Sequence, residues 1–352
     1  MNAEAMDFLR HLLETPSPSG YEQPVQEVVR QYVAGFADSV TTDVHGNVIV
    51  GRNVDAPLRV MLAGHCDQIG FLVNYIDGDG FLYVHPIGGW DPIVLVGQRM
   101  TVWTHNGPLF GIIARKPIHL LTDEERKQVP KLKDLWLDIG AKDQLEATEL
   151  VRIGDPVTLE LGMTEMRNRM ASSPAMDNKT GLWVAIEALR RTRPKKLNCA
   201  LFAVSTVQEE IGLRGATTGT YGVNPQVGIA IDVTHATDCP TIDKKQEGDV
   251  ALGKGPVIYR GPNMNPLVVE KLIETATAGE VPFQIAASGR ATPTDASVIQ
   301  TTRGGVATGL VSIPNRYMHS PVEMISLDDI DRAADLLAGF ALRLAGDENF
   351  VP

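Results

Sequence analysis

Three apolar runs, each leading into residues that bind metals, constrain this chain more than any other feature. Arg59-Val60-Met61-Leu62-Ala63-Gly64 runs into His65-Cys66-Asp67, and Val227-Gly228-Ile229-Ala230-Ile231 runs into Asp232. The third, Leu201-Phe202-Ala203-Val204, leads to the adjacent acids Glu209 and Glu210 just before Ile211-Gly212. Short apolar runs bounded by turn signals read as strands of a sheet covered on both faces. Side chains just beyond the carboxyl ends of such strands stand where open α/β sheets bind ligands. A fourth acid, Asp177, and a late histidine, His319, complete the set.

Each of these residues also has an ordinary alternative. Glu209-Glu210 can be a solvated turn, His65 a structural histidine and Asp232 a turn acid ending a strand. Asp177 can be the N-cap of the helix that begins near Asn178-Lys179-Thr180-Gly181, a common role for aspartate. Taken together they point elsewhere. The period of two in a strand puts His65 and Asp67 on one side, so one can bind a metal while the other steadies it. Two histidines with several acids, and no cysteine required, suit divalent metals bound through N and O. A metal pair needs a bridging carboxylate, ligands on each side and a base, and this inventory contains all three.

The rest of the chain divides by texture. Ala3–Glu14 and roughly 22–36 carry helical apolar stripes, and 39–42, 48–51 and 59–63 read as strands. From Gly70 to Leu161 short alternating runs are separated by turns such as Asp77-Gly78-Asp79-Gly80 and His105-Asn106-Gly107-Pro108, the pattern of a small β-barrel or sandwich. Within it, residues 116–133 are the least regular and read as a projecting loop. After Ala171 the α/β texture returns: helices from about 178, 265 and 327, and strands near 198–205, 227–233, 283–286 and 305–313. The β-rich stretch therefore splits an α/β unit between His65 and Asp177.

A net charge of −11 argues against a nucleic-acid partner, which calls for a basic face. No run approaches 18 apolar residues, so no membrane span is expected. Cys66, Cys199 and Cys239 are too few and too scattered for a disulfide framework, which points to a reducing compartment, and a cytoplasmic protein is expected.

Five words occur in order: GHCDQIGFLV (64–73), SSPAMDNKTG (172–181), VQEEIGLRGA (207–216), AIDVTHATDCP (230–240) and SIPNRYMHSPVEM (312–324). With them the chain resembles, over essentially its whole length, the dinuclear metallo-aminopeptidases of the glutamyl/TET aminopeptidase family. The resemblance implies a mixed-sheet, zinc-exopeptidase-like α/β/α catalytic domain (1–68 and 165–352) and an inserted small PDZ-like β-barrel (69–164) that pairs subunits into dimers. It implies two divalent metal ions per subunit, zinc first, with cobalt or manganese as alternatives. Asp177 would bridge them, His65 and Asp232 would complete one site, and Glu210 and His319 the other. Glu209 would be the general base and Asp67 would orient His65. The Asp177–Asn178 peptide bond would be cis. The activity implied is removal of N-terminal residues from short peptides by a metal-activated water, inside a tetrahedral dodecamer built from dimers.

Other readings stay open at this point. A deacylase or carboxypeptidase on the same fold is disfavoured by the β-rich insertion. A glycoside hydrolase using a pair such as Glu209 and Asp232 would leave His65 and His319 unexplained. A non-enzymatic assembly protein would have degraded ligands. His235 is expected to be structural or substrate-facing, and His11, His45, His85, His105 and His119 to be ordinary. An acidic N-terminal residue would need a basic pocket, for which Lys254, Arg260 and Arg290 are candidates. Trp90, Trp103 and Trp136 suit interface anchoring, with core packing the alternative for at least one of them.

Overall fold

A computed structural model describes residues 1–352. Two helices open the chain, α1 (Ala3–Glu14) and α2 (Gln23–Val33). Leu9, Leu12 and Leu13 of α1 and Val25, Val29 and Val33 of α2 are fully buried, so burial of one apolar stripe stabilises each helix. The Asn2 side chain caps α1 by accepting from the Ala5 amide. Strands β1 (Ser39–Thr42), β2 (Val48–Arg52) and β3 (Arg59–His65) follow.

The chain then leaves for a barrel closed by six strands: β4 (Gly70–Ile76), β5 (Leu82–Ile87), β6 (Arg99–Thr104), β7 (Gly107–Ala114), β8 (Trp136–Asp138) and β9 (Pro156–Leu159). The expectation of a small barrel is met. Phe71, Leu82, Met100 and Val157 lie in an apolar core of its own, separate from the main one. Residues 116–133 are more ordered than a plain loop. They hold α3 (Asp123–Lys127), started by a reciprocal cap between Thr122 and Glu125. A further helix, α4 (Gln144–Leu150), precedes β9. Trp90, Trp103 and Trp136 are half-buried. Trp90 stacks on Phe71 and donates to the Gly70 carbonyl, Trp103 donates to Thr158, and Trp136 meets Phe81 edge-on. Among the apolar side chains this region exposes are Phe110, Ile118 and Leu120.

After β10 (Thr164–Glu165) and β11 (Met170–Ser172) the chain re-enters the α/β layer with α5 (Met176–Thr192), β12 (Ala200–Thr206), α6 (Arg214–Val223) and β13 (Val227–His235). Then come α7 (Lys244–Glu247), β14 (Val257–Arg260), α8 (Pro266–Ala278), β15 (Gln284–Ala287) and α9 (Ala296–Thr301). The chain ends through β16 (Ala307–Asn315), β17 (Met324–Ser326) and α10 (Leu327–Leu342). Eight strands form a mixed sheet in the order β1-β2-β12-β3-β13-β16-β14-β15. Its four central strands, β12, β3, β13 and β16, are parallel, while β2 runs antiparallel to β12 and β14 antiparallel to β16. Helices α1, α5, α8 and α10 cover one face, and α6 and α9 cover the other. This α/β/α layering brings the carboxyl ends of β12, β3 and β13 to one edge.

Two glycines set how closely α5 lies on the sheet. A Cβ at Gly64 would meet the Gly181 carbonyl carbon and the Leu182 nitrogen, both at 2.5 Å, and one at Gly181 would meet the Ile231 oxygen at 2.6 Å. These neighbours are backbone and cannot rotate away. Gly64→Ala is therefore expected to destabilise the fold by about 1–3 kcal/mol, the usual cost of overpacking, read as a lowered midpoint in denaturant. An unchanged midpoint would show that α5 can shift without loss.

The start of α5 is irregular and decides between the two readings of Asp177. Ala175 enters with φ +64°, and Asp177 (φ −79°, ψ 104°) and Asn178 (φ −128°, ψ 38°) are not helical. The cap is Asn178, whose Oδ1 accepts from the Gly181 amide at 2.9 Å. Asp177 is therefore not an N-cap, and its carboxylate is left for other partners. The Asp177–Asn178 peptide bond is cis, as expected.

Candidate metal centre

The site assembles at the strand ends. His65 is the last residue of β3 and lies beside Thr206 of β12 in parallel register, while Asp232 sits near the end of β13. Their side chains and that of Asp177 are almost wholly buried, and those of Glu209 and Glu210 are only 9% and 6% exposed. A solvated turn at Glu209-Glu210 is thereby excluded.

Asp177 lies between the two histidines. Its Oδ1 is 3.3 Å from His65 Nε2 and its Oδ2 is 3.2 Å from His319 Nε2. Glu209 Oε2 and Asp232 Oδ1 approach His65 Nε2 to 3.7 and 3.8 Å, and Glu210 Oε2 approaches His319 Nε2 to 3.5 Å. Two groups of three can each converge on an ion: His65, Asp177 and Glu210, and His65, Glu209 and Asp232. All seven residues expected from sequence meet here. Glu209, expected as a base, stands with His65 and Asp232.

Each histidine is held through its other ring nitrogen. His65 Nδ1 is 3.1 Å from the Asp67 carbonyl and 3.4 Å from its carboxylate. Asp67 does more than face His65. Its Oδ1 accepts from the Glu209 amide, and its Oδ2 from the Glu210 amide and the Ser19 hydroxyl. One carboxylate thus ties the end of β3 to the paired glutamates. His319 Nδ1 bonds the Gly89 carbonyl at 2.9 Å, a contact from the segment following β5 of the barrel.

Two contributing acids were not singled out from sequence. Glu323 is buried and accepts from the backbone amides of both Asp177 and His319, at 2.9 and 2.8 Å. It lies in the fifth sequence word, four residues past His319, and that position was the only available signal. Asp295 is buried beside the cluster and accepts from Thr206 Oγ1 at 2.7 Å. No apolar run leads to it, so nothing in the pattern marked it.

The electrostatics test whether cations fit. Burial pushes the carboxyl groups of Glu209, Glu210 and Asp232 upward, His65 opposes, and the neighbouring acids push them further. Asp177 and Asp67 are also buried, yet both are held below the ordinary range, Asp177 by His319 and His65 and Asp67 chiefly by His65. Glu210 Oε1 is buried with no hydrogen-bond partner. An orphaned carboxylate oxygen amid acids that two histidines cannot neutralise is the environment that divalent cations satisfy. The residues fit a metal pair. Cys66 does not compete for it, since burial raises its thiol well above the usual range.

A glycosidase pair would need only Glu209 and Asp232, whereas here both acids face His65 Nε2 in a cation-type arrangement. Beside the cluster lies a cavity of about 530 Å³, with exposed His235 at its margin. The three basic candidates are absent from its lining. Lys254 and Arg290 are exposed, and Arg260 pairs with Glu270 on the surface.

Comparison with known proteins agrees with this geometry. Residues 46–336 match the M42 glutamyl aminopeptidase family. The lysyl aminopeptidase of Pyrococcus furiosus is 38% identical over 336 residues, 94% of each chain. The crystal structure of a TET aminopeptidase from a marine sediment archaeon of the Thaumarchaeota superposes with a TM-score of 0.92 at 35% identity, covering 97% of this chain and 96% of that one. The TET1 peptidase of Pyrococcus horikoshii, described as assembling into a tetrahedron or a large octahedral shell, gives 0.86 at 31% identity, covering 97% and 100%. The cluster supports metal-dependent hydrolysis of peptide bonds, the relatives are aminopeptidases, and the chain belongs to the M42 glutamyl aminopeptidase family.

Proposed function

We propose that this chain removes N-terminal residues from short peptides with two divalent ions held by His65, Asp177, Glu210, Asp232 and His319. The observation that carries the reading is the Asp177 carboxylate, with one oxygen toward each histidine. Bound there, the ions supply Lewis acidity and a water activated near neutral pH. Glu209 takes the proton from the attacking water and returns it to the leaving amine. Its burial among acids raises its proton affinity toward that task. Asp67 orients His65 and fixes the backbone of both glutamates. The donor set of imidazole and carboxylate, without thiolate, favours zinc, with cobalt or manganese as the alternatives. Metal analysis of the purified chain is expected to find two ions; a single ion would end the dinuclear reading. Chelation followed by re-addition of single metals, with initial rates on aminoacyl-p-nitroanilides, ranks the metals.

Glu323 belongs to the same machinery as a positioning residue, since it holds the amides of Asp177 and His319 together. Glu323→Ala is expected to weaken metal binding by about 10–100-fold in titration calorimetry, the range for residues that orient ligands. Affinity unchanged within two-fold would remove that role.

The functional division we propose is 1–68 with 165–352 as the catalytic domain and 69–164 as the dimerisation domain. Exposed Phe110, Ile118 and Leu120 supply apolar surface suited to an interface. The assembly is a homo-oligomer, a tetrahedral dodecamer of dimers, which would enclose the sites and admit only short or unfolded peptides. Light scattering on the size-exclusion peak is expected to give the mass of twelve chains; a fully active monomer would overturn both assembly and domain role. No helix is long and apolar enough to cross a membrane. Three unpaired cysteines fit the cytoplasm as the working compartment.

A further inference from the structure

We infer that the cavity beside Asp232 receives the side chain of the substrate's N-terminal residue and selects an uncharged one, apolar or amide-bearing, over glutamate, aspartate, lysine or arginine. The inference rests on the aminopeptidase reading and deepens it to a substrate class.

Strand alternation and parallel register build the floor. Asp232 of β13 pairs with Ser312 of β16, so the two side chains emerge on the same face. Two residues along each strand, Thr234 and Leu310 emerge on that face too, and all four line the cavity. Tyr259 of β14 closes it, its hydroxyl 2.6 Å from Thr234 Oγ1. Met318, next to His319, also lines the cavity. The chamber therefore continues directly from the metal ligands: a residue whose scissile carbonyl lies at the cluster has its side chain within reach of this floor.

Charge decides what fits. No lysine or arginine lines the cavity, and its only acids are Asp177, Glu209, Glu210 and Asp232, all within the metal cluster. A glutamate side chain placed there would lose its hydration and meet no lysine or arginine, only His235 at the margin, and a lysine would meet no acid outside the metal cluster. An uncharged side chain meets Leu310, Tyr259 and Met318. One polar opportunity remains. Ser312 is 1% exposed, and its Oγ has no hydrogen-bond partner. That orphan hydroxyl can bond an amide side chain such as glutamine, an isostere of the excluded glutamate.

The test uses the full chain in its native assembly, loaded with metal, and the p-nitroanilides of leucine, methionine, glutamine, glutamate and lysine. The leucine, methionine and glutamine compounds are expected to exceed those of glutamate and lysine in kcat/KM by about 10²-fold, the scale on which a pocket rejects a poorly matched side chain. Glutamate or lysine within ten-fold of leucine overturns the inference. Hydrolysis of none of the five would overturn the aminopeptidase reading itself, and the inference with it. Ser312→Ala locates the subsite: the ratio of glutamine to leucine kcat/KM is expected to fall about five-fold, the value of one hydrogen bond. An unchanged ratio puts the side chain elsewhere and overturns the assignment.

Discussion

Glu209→Gln is expected to lower peptide hydrolysis by about 10³–10⁴-fold, within the range for a general acid-base group, while metal content stays at the unmutated level. The substitution nearly preserves volume and leaves the backbone amide that donates to Asp67 untouched, so the strand end should hold. What it removes is the carboxylate that can carry a proton. Glu210 is the built-in control. Its neighbouring carboxylate faces His319 and has an oxygen without a partner, so Glu210→Gln should reduce metal content together with rate. Metal analysis decides between them. A depleted Glu209→Gln beside a loaded Glu210→Gln would reverse the two assignments, which is a live distinction because Glu209 stands with His65 and Asp232 in one of the three-residue groups.

Asp177→Ala should lose metal and activity together. It removes the carboxylate standing between both histidines and leaves His65 Nε2 and His319 Nε2 facing a gap. The expected loss is at least about 10⁴-fold, since enzymes of this kind rest on accelerations of 10⁶-fold or more. Excess metal should restore little, because the missing group is shared rather than peripheral. Asp177 lies ahead of the capped, helical part of α5, and the Asn178 cap is retained in the variant, so folding should survive. Recovery of full rate at millimolar zinc would show that the two histidine sites can fill independently.

The sequence made the sheet and the residues gathered at its edge legible for one physical reason. His65, Glu209 and Asp232 each follow an apolar run that reads as a covered strand, and parallel strands deliver their ends to a common edge. What stayed hidden depends on contacts between distant segments. Glu323 acts through backbone amides 146 and 4 residues away, and amides carry no residue-type signature. Asp295 reaches the site from the start of α9, a short helix with no apolar stripe to announce it. Helix α6 was missed because three glycines and three threonines within RGATTGTYGV obscure its period and lower its propensity. The cap of α5 could not be placed from sequence, since Asp177 and Asn178 are equally good cap types and only the backbone path separates them.

The contact between Gly89 and His319 bears on modularity. The barrel has its own core and branches from the sheet after β3, which invites excision to obtain a minimal peptidase. Such a truncation would discard the carbonyl acceptor that fixes the His319 ring, along with Trp90, whose indole is anchored on Phe71 and Gly70 close beside it. The shortened enzyme would keep every side chain assigned to the ions and still leave one of its histidines free to rotate. A unit that keeps the His319 ring anchored therefore includes the Gly89 segment of the insertion.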